Sequence, residues 1–362
     1  MNNLRVLSIQ EAKDIRGSYK GSQIIFVTGV TGQDGSHMVD YLLKNTNAII
    51  FGGVRRLSVT NYKNIAHIKN DRFYLVNFDL TDAHSISLIV EKLQPHYFIN
   101  FASQSFVGSS WDLARQTWQT NCTAVLDILE AIRTFMPQCR FYNAGSSEEF
   151  GDVVYSPQDE KHPLRPRSPY GASKAAARML VKVYRESYKM FAIQGWLFNH
   201  EGTRRGEEFV TRKISKGVAR IKKALNSKID IKTIELGNIN AKRDWSDAED
   251  FVHGVWLMLN NAEPKEYVLS SGVTYTIAEF VETAFEIAEI PGIWIGEDEH
   301  AKFVSKDGVE LVKINPMYYR PAEVELLLGD SNLVRRELKW SPKTTFYELV
   351  SKMVRRDTCE DE

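Results

Sequence analysis

The sequence has 362 residues, 43% of them hydrophobic and 25% charged, so it is long enough for one large domain or two smaller ones with a buried core. Its 46 basic and 46 acidic residues balance, which gives no electrostatic basis for a nucleic-acid or anionic-membrane partner. No apolar run reaches membrane-spanning length, and the first residues lack the apolar core of a signal peptide.

The number and spacing of the cysteines indicate the cellular compartment of the protein. Cys122, Cys139 and Cys359 are far apart and show no CxxC spacing. This usage is typical of a protein of the reducing cytosol without disulfides or a zinc site. We therefore expect a cytoplasmic protein that binds no metal.

Strands and helices alternate through the first 200 residues. Residues 1–22 are polar and are expected to form an extension, with room for a short helix, ahead of the first strand. Short apolar runs then predict buried parallel strands, with helical periodicity between them. The expected strands are 23–28, 48–52, 73–78, 97–101, 140–144 and 192–198, and the expected helices are 36–44, 85–93, 113–135 and 169–188. This alternation predicts an α/β fold with a Rossmann-like doubly wound parallel sheet.

The pattern changes after Asn199, where polar loops and shorter elements begin. Helices are expected at 211–226, 247–260, 277–288 and 345–356. We assign residues 23–198 and 236–262 to a discontinuous dinucleotide-binding domain. Residues 199–235 and 263–362 are assigned to a smaller, mostly C-terminal α/β region that binds the substrate.

A glycine-rich turn lies between the first predicted strand and the helix after it. It has the sequence Gly29-Val30-Thr31-Gly32-Gln33-Asp34-Gly35. Gly29 permits the tight turn, Gly32 lets the backbone approach a pyrophosphate, and Gly35 lets the helix pack close to the strand. Because the helix N-terminus would face the phosphates, this placement favours a dinucleotide site over a ligand-free turn.

The ends of the next strands indicate which dinucleotide binds. An acid after the second strand would bind the ribose hydroxyls of NAD, but this chain has Arg55, Arg56 and Ser58, which suit a 2′-phosphate. The sequence therefore predicts NADP, unless these arginines face solvent or a neighbouring subunit. Further cofactor contacts are expected at the ends of later strands, from Asp79, Leu80, Ala102, Ser103, Gln104 and Ser105.

Three residues suggest the chemistry. Tyr170 and Lys174 are four apart at the start of a predicted helix, so both side chains lie on one face. A phenol beside an ammonium is expected to have a lowered pKa and to act as a base. Glu148, after the preceding strand, suggests a second base at the same site. One base suffices to oxidise an alcohol, whereas two suggest oxidation followed by elimination.

With these residues the chain resembles the extended short-chain dehydrogenase/reductase family and, within it, the GDP-mannose 4,6-dehydratases. The resemblance runs from about residue 23 to residue 354 and depends on long ordered strings, which are more specific than the glycine turn. These strings are 28–36, 55–56, 199–201, 204–206, 209–214, 241–245 and 318–321.

The resemblance implies a reaction without net redox change. Tyr170 would take the proton of the hexose 4-hydroxyl while C4 passes hydride to NADP⁺, and Lys174 would hold the ribose and lower the tyrosine pKa. Glu148 would then remove the C5 proton, so that the 6-hydroxyl leaves as water before hydride returns to C6. Ser146 would bond the 4-oxygen. The product would be GDP-4-keto-6-deoxy-mannose.

The resemblance also implies the remaining contacts. His200 and Arg205 would contact the cofactor. The GDP-sugar would be bound by Ser147, Asn199, Val210, Lys213, Gly237, Arg243, Arg320 and Glu323. The protein would be a homodimer or homotetramer, in which the loop at 55–58 could reach the cofactor site of an adjacent subunit.

Several positions depart from the family pattern. Ser146 replaces a threonine, Phe106 a common histidine and Gln116 a common tyrosine, while Glu149 and Phe150 stand where the family favours an apolar residue and tyrosine. Phe106 leaves open the same dehydration of another sugar, such as GDP-manno-heptose. A GDP-4-keto-sugar reductase or epimerase is a further alternative, although neither needs Glu148. A silent NADP-binding sensor would not need all three chemical residues.

Overall fold

The computed structural model describes residues 4–319, 324 and 326–361. Its strands, in chain order, are β1 (Val6–Leu7), β2 (Ile24–Thr28), β3 (Ile49–Val54), β4 (Phe73–Asn77), β5 (Tyr97–Asn100), β6 (Arg140–Ala144), β7 (Ala192–Leu197), β8 (Asn199–Glu201), β9 (Ile234–Leu236), β10 (Lys242–Arg243), β11 (Trp245–Asp247), β12 (Val268–Leu269), β13 (Tyr275–Thr276), β14 (Gly292–Ile295), β15 (Lys302–Ser305), β16 (Glu310–Ile314) and β17 (Leu326–Leu327). Its α-helices are α1 (Ile9–Ser18), α2 (Gln33–Asn45), α3 (Ala83–Leu93), α4 (Ala114–Trp118), α5 (Ala124–Phe135), α6 (Pro169–Tyr188), α7 (Val210–Ser227), α8 (Ala248–Leu259), α9 (Ile277–Ile287), α10 (Asn332–Leu338) and α11 (Phe346–Asp361).

The main sheet is parallel throughout. Among the described residues its eight strands have the order β1-β4-β3-β2-β5-β6-β7-β12. The chain passes from β2 to β3 and β4 on one side and then crosses to β5 on the other. The strand order therefore reverses between β2 and β5, where open α/β sheets bind ligands at the carboxyl ends of their strands. The Rossmann-like fold predicted from the alternation is confirmed.

Consecutive apolar residues bury this sheet on both faces, because successive side chains of a strand point to opposite sides. In β2, Ile25 and Val27 pack into the core that includes α2 and α8. Phe26 packs into the opposite core, which α3, α5 and α6 complete. A third core joins α7, α9 and α11 to the sheet formed by β14, β15, β16 and β9.

Two short strands differ from the sequence-based expectation. Residues 1–22 contain the expected helix, α1, which Ser8 and Glu11 cap reciprocally, but β1 precedes it and pairs with β4 at the sheet edge. At the other edge β12 pairs with β7, although residues 263–362 were expected in the substrate-binding region. Strands of two residues have no periodicity that a sequence pattern could detect.

The long helix expected at 113–135 is interrupted. It is divided into α4 and α5 by a π-helical turn, Gln119–Thr123. Asn121 in this turn is buried, and its side-chain amide bonds the backbone of Gln104. The turn therefore ties the helix to the loop after β5, which borders the cleft described next.

Candidate functional site

A cleft of about 840 Å³ lies where the strand order reverses. The loops after β2, β3, β4, β5 and β6 line it, and the segment after β7 completes it. Most residues predicted to bind the cofactor line this cleft, namely Gly29, Thr31, Gly32, Gln33, Asp34, Gly35, Arg55, Asp79, Leu80, Ala102, Ser103, Ser105, Tyr170, Lys174, His200 and Arg205.

The glycine turn has the geometry of a phosphate cradle. Gly29 has a φ of +68°, which favours glycine, and a Cβ at Gly35 would lie only 2.3 Å from the carbonyl oxygen of Gly29. The N-cap of α2 is Gly32, which has no side chain. The first backbone amides of α2 therefore have no side-chain cap. An uncapped helix N-terminus behind a glycine turn suits the pyrophosphate of a dinucleotide.

Three predicted cofactor residues do not line the cleft. Arg56 and Ser58 are exposed in the loop that follows Arg55. The side-chain amide of Gln104 donates to the backbone oxygen of Phe106 at 2.9 Å and to Ser109 Oγ at 2.5 Å. Gln104 thus shapes the loop after β5 rather than facing the cleft.

An ion pair joins the glycine turn to the far wall of the cleft. His200 Nε2 lies 2.9 Å from Asp34 Oδ2, and His200 Nδ1 lies 2.7 Å from the backbone oxygen of Phe198. Burial opposes charge on His200, but Asp34 raises its pKa above the ordinary value. Burial alone would raise the pKa of Asp34, but His200 and Arg205 lower it to about 2. Because both ring nitrogens face acceptors, this arrangement favours the imidazolium form of His200.

The start of α6 positions the tyrosine and the lysine. Ser168 is the N-cap, and its Oγ accepts a hydrogen bond from the Gly171 amide at 3.0 Å. Tyr170 and Lys174 follow one turn apart, and both are buried while lining the cleft. Lys174 Nζ donates to the backbone oxygen of Ala144 at 2.8 Å and lies 5.8 Å from the centre of the Tyr170 ring.

The end of β6 positions the serine and the glutamate. A 3-10 turn, Ser147–Glu149, follows the strand, and Ser146 caps it by accepting a hydrogen bond from the Glu148 amide at 3.2 Å. The Ser146 side chain also acts to lower the pKa of the Tyr170 phenol. Glu148 is half-buried and lines the cleft. The structure therefore brings Ser146, Glu148, Tyr170 and Lys174 together at one cleft.

The expected lowering of the tyrosine pKa by Lys174 is wrong for this structure. Burial raises the pKa of Tyr170, and the charge of Glu148 raises it further, while Ser146 and Arg205 act in the opposite direction. Burial also lowers the pKa of Lys174, to about 8. Because the Lys174 ammonium is directed at the Ala144 carbonyl, Ser146 and Arg205 are the groups that favour the phenolate.

The structure places three of the residues expected to bind the sugar nucleotide at the cleft. Ser147, Asn199 and Arg243 line the cleft, and both Ser147 and Arg243 are buried. Arg320 and Glu323 lie outside the described residues.

The other expected substrate residues lie outside the cleft lining. Lys213 Nζ is 3.6 Å from the centre of the Tyr318 ring, and burial lowers the pKa of Lys213. A Cβ at Gly237 would lie 2.7 Å from the backbone oxygen of Tyr318. Val210 begins α7 and packs against the third core. Lys213 and Gly237 thus form a second group around Tyr318.

The family model for GDP-mannose 4,6 dehydratase matches residues 26–353. The chain belongs to the GDP-mannose 4,6-dehydratase family. It is 41% identical over 362 aligned residues to the GDP-mannose 4,6 dehydratase of Drosophila melanogaster, covering 96% of this chain and 90% of that protein. It is 39% identical over 348 residues to that of Homo sapiens, covering 93% and 92%.

A solved structure shares the fold of this family member. The dTDP-glucose 4,6-dehydratase of Streptomyces venezuelae, solved with NAD bound, has a TM-score of 0.77 at 21% identity, covering 92% of this chain and 96% of that one. The family match confirms the recognition made from the sequence. It places the chain among the nucleotide-sugar 4,6-dehydratases, which are hydro-lyases.

Some residues of the dehydratase cleft were not predicted. The Arg205 guanidinium lies 3.5 Å from the centre of the Phe209 ring, and Phe209 packs edge-on against Phe106. Arg212 also lines the cleft and pairs with Asp357 of α11 at 2.8 Å. Phe209 and Arg212 belong to one of the strings that carry the family resemblance, which was the available signal. Asp357 lies 145 residues away, and no local pattern links it to Arg212.

Within residues 4–319, 324 and 326–361, every helix is too short or too polar to cross a membrane. In the same part of the chain, His, Cys, Asp and Glu form no group of three or more with metal-binding geometry.

Proposed function

We propose that this chain catalyses the NADP-dependent 4,6-dehydration of GDP-mannose to GDP-4-keto-6-deoxy-mannose. The observation that carries the proposal is the shared cleft, with the glycine turn on one side and Glu148, Tyr170 and Lys174 on the other. Oxidation of an alcohol needs one base, whereas elimination of water needs a second. Two relatives named GDP-mannose 4,6 dehydratase, 41% and 39% identical, support the choice of nucleotide and hexose.

The cofactor would lie along the glycine turn. The amides of residues 29–35 would bind its pyrophosphate, and Arg55 its 2′-phosphate, with Arg56 and Ser58 joining from the exposed loop. Lys174, His200 and the loop after β5 would complete the site. When bound, a nicotinamide supplies a hydride acceptor that returns the hydride later, so no net redox change results.

The chain's own residues would divide the proton transfers. Tyr170 would take the proton of the sugar 4-hydroxyl, and Ser146 would bond the same oxygen. Ser146 and Arg205 favour the phenolate, and Lys174 would hold the cofactor ribose. Glu148 would then remove the C5 proton, which the 4-ketone has made acidic, and the 6-hydroxyl would leave as water.

The GDP-sugar would extend from the cleft towards the second region. Arg243 would bind the diphosphate, and Asn199 and Ser147 would lie beside the sugar. Lys213, Val210, Gly237, Arg320 and Glu323 remain proposed contacts of the nucleoside end. We propose residues 23–198 and 236–262 as the cofactor domain and 199–235 and 263–362 as the substrate domain, with β12 added to the main sheet.

A second candidate is the same dehydration of a larger sugar, such as GDP-manno-heptose. The observation that favours it is Phe106, which lines the cleft edge-on to Phe209 where the family usually has histidine. This aromatic corner offers an apolar surface next to the sugar site.

We also propose a cytoplasmic homodimer or homotetramer. Trp118 in α4 and Met179 and Val183 in α6 are about half exposed, and these helices pack against each other. Such an apolar face suits burial against a second copy of the chain. The three cysteines are all free, as a reducing compartment would maintain them.

Mass spectrometry tests the function directly. The purified protein is incubated with GDP-mannose and a catalytic amount of NADP⁺, and parallel reactions contain GDP-manno-heptose. The proposal expects a product lighter by one water, with no build-up of NADPH. Steady formation of NADPH would instead indicate a simple dehydrogenase, and an unchanged sugar would indicate a sensor.

A further inference from the structure

We propose that Glu149 is a positioning residue. Through a buried pair with Arg178, it holds the turn that carries Glu148 against the helix that carries Tyr170 and Lys174. This inference rests on the proposed function and adds a residue that acts without touching the substrate.

The Glu149 carboxylate holds the turn Ser147–Glu149 from the protein interior. Its side chain is fully buried, and its Oε1 accepts hydrogen bonds from the Ser146 amide at 2.8 Å and from Gln194 Nε2 at 3.0 Å. Glu148 and Ser146, by contrast, face the cleft. The side chains of these two neighbouring residues thus point in opposite directions. Glu149 points into the protein, and Glu148 points into the cleft.

Arg178 connects that carboxylate to the catalytic helix. Residues 170, 174 and 178 are successively four apart in α6, so they lie along one face of the helix. Arg178 Nε lies 2.5 Å from Glu149 Oε2, and the guanidinium stacks 3.5 Å from the centre of the Trp196 ring. The pair therefore links the end of β6 directly to the face of α6 that bears the tyrosine and the lysine.

Gln194 of β7 completes the link. Its side-chain amide donates to Glu149 and also to the backbone oxygen of Lys174 at 2.9 Å. Its own backbone oxygen accepts a hydrogen bond from Arg178. Turn, helix and strand are thus held by one polar network whose side chains are at most 3% exposed.

Stability alone does not account for this pair. A buried ion pair usually contributes no more than a well-packed apolar pair of similar volume, because both charges lose their hydration. Its position also gives it an electrostatic effect on the site. Burial lowers the pKa of Lys174, but the Glu149 charge acts against this, and the same charge adds to the raised pKa of Tyr170. Removing the Glu149 charge should therefore lower the pKa of both Lys174 and Tyr170.

The test compares Glu149→Gln with Glu266→Gln. Glu266 also pairs with Arg178, at 3.3 Å, but makes no hydrogen bond to the turn, so it is the matched control. For Glu149→Gln we expect kcat for GDP-mannose to fall about 100-fold with KM nearly unchanged, the size of effect expected when a catalytic group is misplaced by about 1 Å. The Lys174 resonance, followed by NMR in the unliganded protein, should titrate at lower pH than in the wild type. Glu266→Gln should keep its kcat near the wild-type value.

A second variant separates positioning from folding. Glu149→Leu with Arg178→Met removes both charges and should still fold, although the Ser146 amide and Gln194 each lose a partner, so thermal unfolding is measured alongside kcat. It should nevertheless lose kcat like Glu149→Gln. The inference is overturned if the folded double variant loses less than roughly fivefold in kcat, or if the Lys174 titration is unchanged in Glu149→Gln. If the wild-type protein does not act on GDP-mannose, the proposed function fails, and the Lys174 titration then decides on the inference by itself.

Discussion

The Asp34–His200 pair should make stability depend on pH in a defined window. A raised pKa means that His200 stabilises the fold below its ordinary value of 6.5, and that this contribution is lost as the pH rises through the folded value. A lowered pKa means that Asp34 contributes above its ordinary value of 3.8 and stops contributing as the pH falls through about 2. The pair should therefore stabilise the protein fully between about pH 4 and pH 6.5.

The size of the effect follows from Asp34, whose side chain is 22% exposed. A fall in pKa from 3.8 to about 2 corresponds to roughly 2 kcal/mol, since one pKa unit is about 1.4 kcal/mol. Asp34→Asn keeps the shape and removes the charge. We expect it to lower the free energy of unfolding by about 2 kcal/mol at pH 5.5 and by less at pH 9, because the contribution of the protonated His200 is lost as the pH rises through its folded pKa.

Urea denaturation at the two pH values measures this difference. Asp357→Asn is the control, because Asp357 pairs with Arg212, which stays charged at both pH values. The decrease in the free energy of unfolding caused by Asp357→Asn should be the same at pH 5.5 and pH 9. If Asp34→Asn lowers the free energy of unfolding by the same amount at both pH values, or not at all, His200 is not an imidazolium paired with Asp34.

Two further predictions concern the cofactor and the base. Arg55→Ala should weaken NADP binding about tenfold or more while leaving NAD binding nearly unchanged, because the lost charge-assisted hydrogen bonds go only to a 2′-phosphate. Titration calorimetry with both dinucleotides measures this, and equal weakening would exclude the assigned role. Tyr170→Phe removes the phenol and should lower kcat by at least about 100-fold with NADP affinity retained. A variant that turns over like the wild type would show that another group is the first base.

Local patterns were enough to predict much of the fold and of the site. The apolar runs of β2 and β5, the glycine turn and the four-residue spacing of Tyr170 and Lys174 are features of neighbouring residues. Because parallel strands place their carboxyl ends at one edge, the turn and the start of the helix meet at one cleft in the structure.

What the sequence did not reveal depends on pairs that are distant along the chain. Asp34 and His200 are 166 residues apart, and Glu149 and Arg178 are 29 apart. The raised pKa of Tyr170 follows from burial in the folded protein, which the spacing to Lys174 does not report. Such partners become neighbours only when sheet order and helix placement are known.

The central claim is that Glu148 removes the proton that allows water to leave. Its most direct test is a single turnover of Glu148→Gln with bound NADP⁺ and GDP-mannose, followed by absorbance of NADPH and by mass spectrometry of the sugar. We expect slow NADPH formation and a sugar that keeps its 6-oxygen, because Tyr170 and Lys174 are intact. A product lighter by one water, formed at the wild-type rate, would contradict the role assigned to Glu148.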